Sequence, residues 1–481
     1  MAEPALPGRS WAALAAQVGA ALALGACSLA PAYQTPPLGA PTPPAYKETG
    51  AWTPADPADA APRGDWWTAY GDPTLDDLEA RLQASNPDLA AALARYDQAR
   101  ALAAQAESRL SPELDLQGFA TRTKQSDNAP LRGTTPTYYD NVEIGGAVSY
   151  ELDFWGRIRN QVKAGKAGAQ ASAGDLASAK LSLEAQVADD YLALRGFDAE
   201  AKVLADTVET YQHALDLTQR LFNGGVVSGI DVGQARTQLE TARAAQLEVA
   251  AQRALDEHAI AALVGQPASS FSIPPAAKLP EQPRIPVAAP SLLLQRRPDI
   301  AAAERRAYAA NAMIGVARAA FFPTITLDAS GGFQNAGEVN LLSLPSAAWT
   351  VGPALAMPLF DAGRRRAVVA QSKAEFEEAS AEYRSTVLAA FQQVEDNLAL
   401  CNKLADESAA EDAAVTAAKQ AEALSLVRYR DGAITYLDVV VNQTTALQAE
   451  RDALSLDTRR LQASVDLIRA LGGDWTAPKP S

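Results

Sequence analysis

The chain is short of the residues from which most catalytic and metal sites are made. Its 481 residues include two cysteines, Cys27 and Cys401, and two histidines, His213 and His258. Two cysteines exclude a disulfide framework, and two histidines leave little for an imidazole-based metal site. Aromatic residues are only 6% of the chain, so large rings do not dominate its core. Positive charge is also scarce, and 42 Lys and Arg against 57 Asp and Glu give a net charge of −15. That argues against nucleic acid, whose phosphates require a basic footprint. No run approaches the roughly 20 apolar residues of a spanning helix. The one glycine-rich loop of note, "GGVVSG", lacks the Lys-Ser/Thr of a phosphate loop. Cys401 continues the helical pattern Val394, Leu398 and reads as core packing, and neither histidine has ligand-type spacing around it. No nucleophile, base and oxyanion group come together, so neither catalysis nor a cofactor is expected.

What the chain has in quantity is pattern. Near the start, "WAALAAQVGAALALGAC" follows a single Arg9 and reads as a secretory signal peptide over residues 1–26. Leu24-Gly25-Ala26-Cys27 resembles a bacterial lipobox, which implies cleavage before Cys27 and acylation of its thiol. A diacylglycerol plus an N-acyl chain would exceed the two-chain threshold for stable anchoring. Ser28 follows rather than Asp, so nothing resembles an inner-membrane retention signal. Residues 27–64 are crowded with proline and read as an extended, lipid-anchored tether.

Beyond the tether the chain repeats itself. Pro87 matches Pro298 and Pro112 matches Pro323, both pairs 211 apart. Gly156 matches Gly363, Gly225 matches Gly432 and Asp231 matches Asp438, all 207 apart. The order is therefore a first repeat over 65–267, a Pro-rich linker over 268–290, a second repeat over 291–475 and a C-terminal tail over 476–481. Each repeat reads as short helix, strand, loop, strand, long helical run, Gly turn, long helix. The helical run from Arg157 to Phe222 would extend about 100 Å if unbroken. Gly165, Gly168, Gly174 and Gly196 make a break or offset in it expected. Helices of this length pack as coiled coils, here with Ala at the contacts.

The strands, about 113–122, 142–154, 323–334 and 348–360, alternate strictly. In "VEIGGAVSYELDF", Val142, Ile144, Val148, Tyr150, Leu152 and Phe154 share one face, while Glu143, Ser149, Glu151 and Asp153 share the other. In "AWTVGPALAMPLF", Trp349, Val351, Leu355, Met357 and Leu359 share a face. Such strands cover a soluble core or separate lipid from water. Barrels in lipid need about eight strands and tolerate no open edge. Four strands per chain must therefore oligomerise if they face lipid.

With the lipobox-like start, the repeat and the strand pairs, "WWTAYGDPTLDDL", "SYELDFWGRIR", "RRPDI", "PLFDAGRR" and "LGGDW" resemble a TolC-type outer membrane factor. Within that family the chain is similar to the NodT-like lipoproteins of tripartite drug efflux pumps. The resemblance implies a mainly α fold with β, a trimer with a 12-stranded barrel above an α-helical periplasmic tunnel. It also implies a periplasmic adaptor and an inner-membrane transporter of the RND type as partners, and the Gram-negative outer membrane as location. The function so implied is a passive conduit for efflux. The alternative is a lipid-anchored periplasmic coiled coil whose strands cover a soluble core.

Site residues follow, each with a structural alternative. Asp231 and Asp438 come shortly after the two Gly turns, where the family closes its periplasmic end. They either ring an aperture or cap helices, since Ser228-x-x-Asp231 and Thr435-x-x-Asp438 fit capping boxes. Leu437 matches an apolar constriction of related channels, and Tyr429 matches the tyrosine of a gate lock whose acidic partner is Asp231. The lock's arginine is absent, with Ile434 in its place, and a second acid of acid-rich members is Val441 here. Trp155, Arg157, Phe360 and Arg364 suit a membrane interface, where rings lie at headgroup level and guanidinium groups reach phosphates. Surface ion pairing of those arginines is the competing reading.

Overall fold

The computed structural model describes residues 28–39, 41, 43, 45–48, 64–126, 128, 137–283, 285, 297–336 and 340–473. The expected signal peptide and Cys27 lie outside the described residues, as does the tail over 476–481.

Helices α1 (Pro73–Ser85) and α2 (Pro87–Ser108) open the first repeat. Strands β1 (Glu113–Lys124) and β2 (Tyr138–Glu151) follow, then helices α3 (Arg157–Asn223) and α4 (Gly229–Leu263). The second repeat runs α5 (Pro298–Ala319), β3 (Thr324–Asn335), β4 (Ala347–Ala356), α6 (Arg364–Arg430) and α7 (Tyr436–Ala470). Corresponding helices have equal lengths, with 22 residues in α2 and α5, 67 in α3 and α6, and 35 in α4 and α7. The glycines inside α3 therefore do not break it. Gly165 lies against Ala103 and Ala106 of α2, and a Cβ at Gly196 would collide with Thr458 of α7. These glycines admit close neighbours, which outweighs their low helix propensity.

Local chemistry sets the ends. Asp72 caps α1 by accepting from Thr74 N at 2.9 Å, with Pro73 in the first turn where no N–H is needed. Asn86 likewise accepts from Leu89 N at 2.8 Å at the start of α2. Both long helices end at a glycine in the left-handed region, Gly225 and Gly432, each with φ 73°.

The four strands form one antiparallel sheet in the order β1-β2-β3-β4. The repeats thus share a sheet, joined where β2 pairs with β3 from Val142↔Asn335 to Glu151↔Thr326. Gly145 opposes Gly332 there, and a Cβ on Gly332 would lie 2.3 Å from Ile144 O. Only glycine allows the backbones this approach. Strand β2 starts earlier than the alternation suggests, at Tyr138, and stops at Glu151 rather than 154. Leu152 N still reaches Ile325 O, and then Gly156 at φ 72° turns the chain into α3. Strand β4 ends at Ala356 rather than 360, since Pro358 has no N–H for the ladder.

Contacts divide the chain into two units, each drawn from both repeats. One takes residues 1–36, 96–173 and 302–383, and the other takes 37–95, 174–301 and 384–481. In the first, Ile158, Val162, Ala167 and Ala171 of α3 and Ala302, Ala307, Ala312 and Ile314 of α5 are buried. Residues 29–33 of the proline-rich segment are held to α5. Arg318 Nη1 and Asn311 Nδ2 donate to the carbonyls of Leu29 and Pro31 at 3.1 and 2.9 Å, and Tyr33 Oη donates to Glu304 Oε1 at 2.8 Å. Proline removes backbone donors but leaves carbonyls for α5 to hold. In the second unit the core is leucine-rich, with Leu75, Leu78 and Leu82 of α1 buried along with Val187, Leu192 and Leu204 of α3. Asn86 Nδ2 donates to Leu263 O at 2.7 Å, and Arg297 Nη1 donates to Ala470 O at 2.9 Å. These repeat-equivalent residues each close the last carbonyl of a helix, where a donor is otherwise missing.

Candidate functional site

The register gathers the strand side chains into two continuous faces. Leu114, Val148, Ala329 and Val351 form one row across the sheet. Gly118, Ile144, Phe333 and Ala347 form another on the same side. The opposite side carries the rows Glu113–Ser149–Asp328–Gly352 and Asp115–Ala147–Ser330–Thr350, with Phe119 as its apolar exception. Ser149 Oγ and Thr326 Oγ1 donate to the two oxygens of Asp328 at 2.7 and 2.9 Å. On the apolar side Leu116 is 82% and Trp349 75% exposed, so no core formed by the described residues covers it. Strands β1 and β4 each keep one edge unpaired among the described residues.

At the two Gly turns the acids do cap the helices. Asp231 Oδ2 accepts from Ser228 N at 2.8 Å, and Ser228 Oγ accepts from Asp231 N at 3.4 Å. Asp438 Oδ2 accepts from Thr435 Oγ1 at 2.7 Å and from Thr435 N at 2.9 Å. Those two bonds, the side-chain one first, hold the Asp438 carboxyl below its ordinary value. Leu437 stands beside it 54% exposed, and Val441, one helical turn on, is 56% exposed.

Tyr429 is brought to a different neighbour from the one expected. Its ring meets that of Tyr436 edge to face at 5.2 Å, in a cluster with Ala235 of α4 and Val439 of α7. Ile434 packs on this cluster, as do Leu221 and Leu426. Asp231 is hydrogen-bonded to its own cap rather than to Tyr429, although its charge, after burial, helps to push the Tyr429 hydroxyl up. Tyr436 is pushed up to about 12, by burial first and by Tyr429 second. An apolar cluster thus stands where the resemblance implied an arginine-centred lock, and Ile434 belongs to it. Tyr436, 2% exposed, was missed from sequence. Its signal was available, an aromatic at the first helical position directly after the Thr435 cap.

The strand–helix junctions differ between the repeats. Trp155 stacks on Phe322 at 4.7 Å and donates Nε1 to Pro323 O at 2.8 Å. Arg157 forms a two-pronged pair with Glu151, and Arg159 Nε reaches Asp153 at 3.2 Å. In the second repeat Arg365 takes Asp361 at 2.6 Å, while Arg364 is exposed and Phe360 is 87% exposed. Ion pairing therefore accounts for Arg157, whereas Arg364 has no ion pair among the described residues. Among the described residues, no group of three His, Cys, Asp or Glu is placed to hold a metal ion. Among them too, no helix is long and apolar enough to cross a membrane.

Comparison with known proteins gives one answer. Residues 79–266 and 289–473 match the model of the outer membrane efflux protein family. The pyoverdine export outer membrane protein OpmQ of Pseudomonas aeruginosa is 34% identical over 473 residues, spanning 96% of this chain and 97% of that protein. The probable efflux pump outer membrane protein TtgC of Pseudomonas putida is 33% identical over 461 residues, 95% of this chain and 94% of its own. Among solved structures, the outer-membrane channel OprN superposes with a TM-score of 0.86 at 29% identity, covering 93% of this chain and 99% of that one. The open state of the Neisseria gonorrhoeae MtrE outer membrane channel gives 0.81 at 26%, covering 95% and 100%.

Proposed function

The chain belongs to the outer membrane efflux protein family, and from that membership we propose that it is the outer-membrane conduit of an efflux pump. The observation that carries this reading is the sheet, with one apolar face, one acidic and hydroxylated face, and two unpaired edges. An apolar face exposed on a sheet of only four strands suits lipid if the edges are closed by further copies. Three copies give about 12 strands, within the range of membrane barrels. The polar face then lines a water-filled lumen, and no chemical step is assigned to the protein.

Energy for export would come from elsewhere, and the partners that the family resemblance implies are a periplasmic adaptor and an inner-membrane transporter of the RND type. Pyoverdine belongs to OpmQ, and the cargo here is left as small molecules. Acylation of Cys27 would add a lipid anchor, next to Ser28, whose Oγ is held by Asn160 Oδ1 at 3.0 Å. Phe360 and Arg364, both exposed, are the better candidates for the membrane interface, with Trp155 and Arg157 supporting the junction from within. At the periplasmic aperture, Leu437 is the constricting side chain. Asp438 and Asp231 hold the turns beside it, and Tyr429 packs α6 against α4 and α7.

The test is the mass of the protein extracted in detergent from purified outer membranes, followed by single-channel recording in planar bilayers. A species of three protomers with discrete conductance is expected. A monomer, or protein missing from that fraction, would overturn the conduit in favour of a lipid-anchored coiled coil.

A further inference from the structure

Helices α3, α6 and α7 line a cavity of about 290 Å³, all of it within the second unit. Two of its side chains are buried without partners. Gln443 of α7 is 1% exposed, and neither Oε1 nor Nε2 of its amide has a hydrogen bond among the described residues. Tyr211 of α3 is 3% exposed, and its hydroxyl has none either. Buried amides and hydroxyls are ordinarily paired, so three unmet atoms around one cavity call for an occupant that meets them.

Most other polar groups around the cavity are already engaged. Thr207 and Thr210 each donate to a carbonyl of their own helix at 2.9 Å. Asp206 is taken by Lys202, and Lys419 of α6 pairs with Glu450 of α7. Glu422 of α6 is the exception, because its carboxyl has no hydrogen bond or salt bridge among the described residues. It stands close enough to act on Tyr211, whose hydroxyl is pushed up by burial first and by the charge of Glu422 second. Packing of the repeat does not demand these three residues. The offset of 207 turns Tyr211 into Ala418, Glu422 into Leu215 and Gln443 into Arg236.

We propose that this cavity is a binding site for a small amino alcohol, an ammonium group with a hydroxyl a few bonds away. The Glu422 carboxylate, Gln443 Oε1 and Tyr211 Oη are three acceptors, and an ammonium brings three N–H donors. Gln443 Nε2 is a donor, which only a ligand oxygen can satisfy, so a plain alkylamine leaves it unmet. An anion is disfavoured by Glu422, Glu450 and Asp206, against which the cavity sets Lys419 alone. Water occupies about 30 Å³ per molecule in the liquid, so there is room for a ligand of several heavy atoms. The site lies apart from the strands and the Gly turns and goes beyond the conduit reading.

The test is saturation-transfer NMR on the full-length protein in detergent with three probes of one size, namely ethanolamine, ethylamine and ethylene glycol. Ethanolamine is expected to bind saturably, ethylamine about tenfold more weakly, and ethylene glycol not at all. Gln443→Leu and Glu422→Gln should each weaken ethanolamine binding by about tenfold or more. Glu422 has no bond to lose within the chain, so Glu422→Gln keeps the test decisive should Gln443→Leu disturb the fold. Equal, unsaturable signals from all three probes, or none from any, would mean that the cavity holds water only, and would overturn the proposal. Ethanolamine binding left unchanged in Glu422→Gln would overturn it as well.

Discussion

Tyr429, at the end of α6, and Tyr436, at the start of α7, meet edge to face at 5.2 Å across the turn that carries Gly432. The contact closes the turn on itself and faces Ala235 of α4, so one aromatic pair joins three helices. Truncating a buried ring to alanine costs about 3–5 kcal/mol. Tyr436→Ala is therefore expected to loosen the turn, with faster amide exchange from 429 to 440 and a larger or noisier single-channel conductance. Tyr429→Phe, which keeps the ring, should match the unsubstituted protein in both measurements.

Asp438 acts on the same turn through its cap. Its carboxyl is held below the ordinary value by Thr435, so its stabilisation is full above the unfolded carboxylate range and is lost as pH falls through the lowered folded value. Asp438→Ala should speed exchange of the first-turn amides of α7 at neutral pH. The difference from the unsubstituted chain should shrink in acid, below that folded value. An equal effect at every pH would mean that the carboxylate is not the capping group.

Asp189 of α3 has the opposite sign. Burial first, and the charge of Asp466 second, push its carboxyl up to about 8, while Arg469 opposes them. A raised folded value means that stability is full below the ordinary carboxylate range and is lost as pH rises toward about 8. Asp189→Asn removes the charge and keeps the shape. Its thermal midpoint should exceed that of the parent at pH 8 and approach it near pH 4, by scanning calorimetry in detergent.

The two faces of the sheet can be told apart by one substitution each. Val351→Arg places a guanidinium on the apolar side at the middle of β4, where such a charge near the bilayer midplane costs about 2–4 kcal/mol. It should sharply reduce the amount of protein assembled in outer membranes. Ala147→Arg places the same group on the polar side opposite Asp115, and should assemble normally with altered ion selectivity. Equal loss from both would mean that the faces do not separate lipid from water.

Much of this was legible in the chain because it is written in short-range pattern. Alternation of period two placed the four strands to within a few residues. Proline and glycine at offsets of 211 and 207 disclosed the repeat, and Ser228 and Thr435 with an Asp three residues on announced the caps. The strands and caps depend on neighbours within one turn or one pleat, and the repeat on comparing the chain with itself. The partner of Tyr429 was harder, since it turned on which side chain fills the space behind a Gly turn. The packing of Ile434 onto that cluster was read only as a missing arginine for the same reason.

Short-range pattern was enough to place most helices, the alternating strands and two equal units in tandem, but not to show that α3 runs unbroken through its glycines. The tertiary structure alone decided that β2 of one unit pairs with β3 of the other, and that Trp155 stacks on a phenylalanine 167 positions away, Phe322. It also decided that Arg157 is taken by Glu151 while Arg364 stands exposed. The physical reason is range. Propensity and capping are settled by groups a few residues apart, whereas register and burial depend on which distant surfaces meet, and an alternating strand is compatible with any partner of matching face.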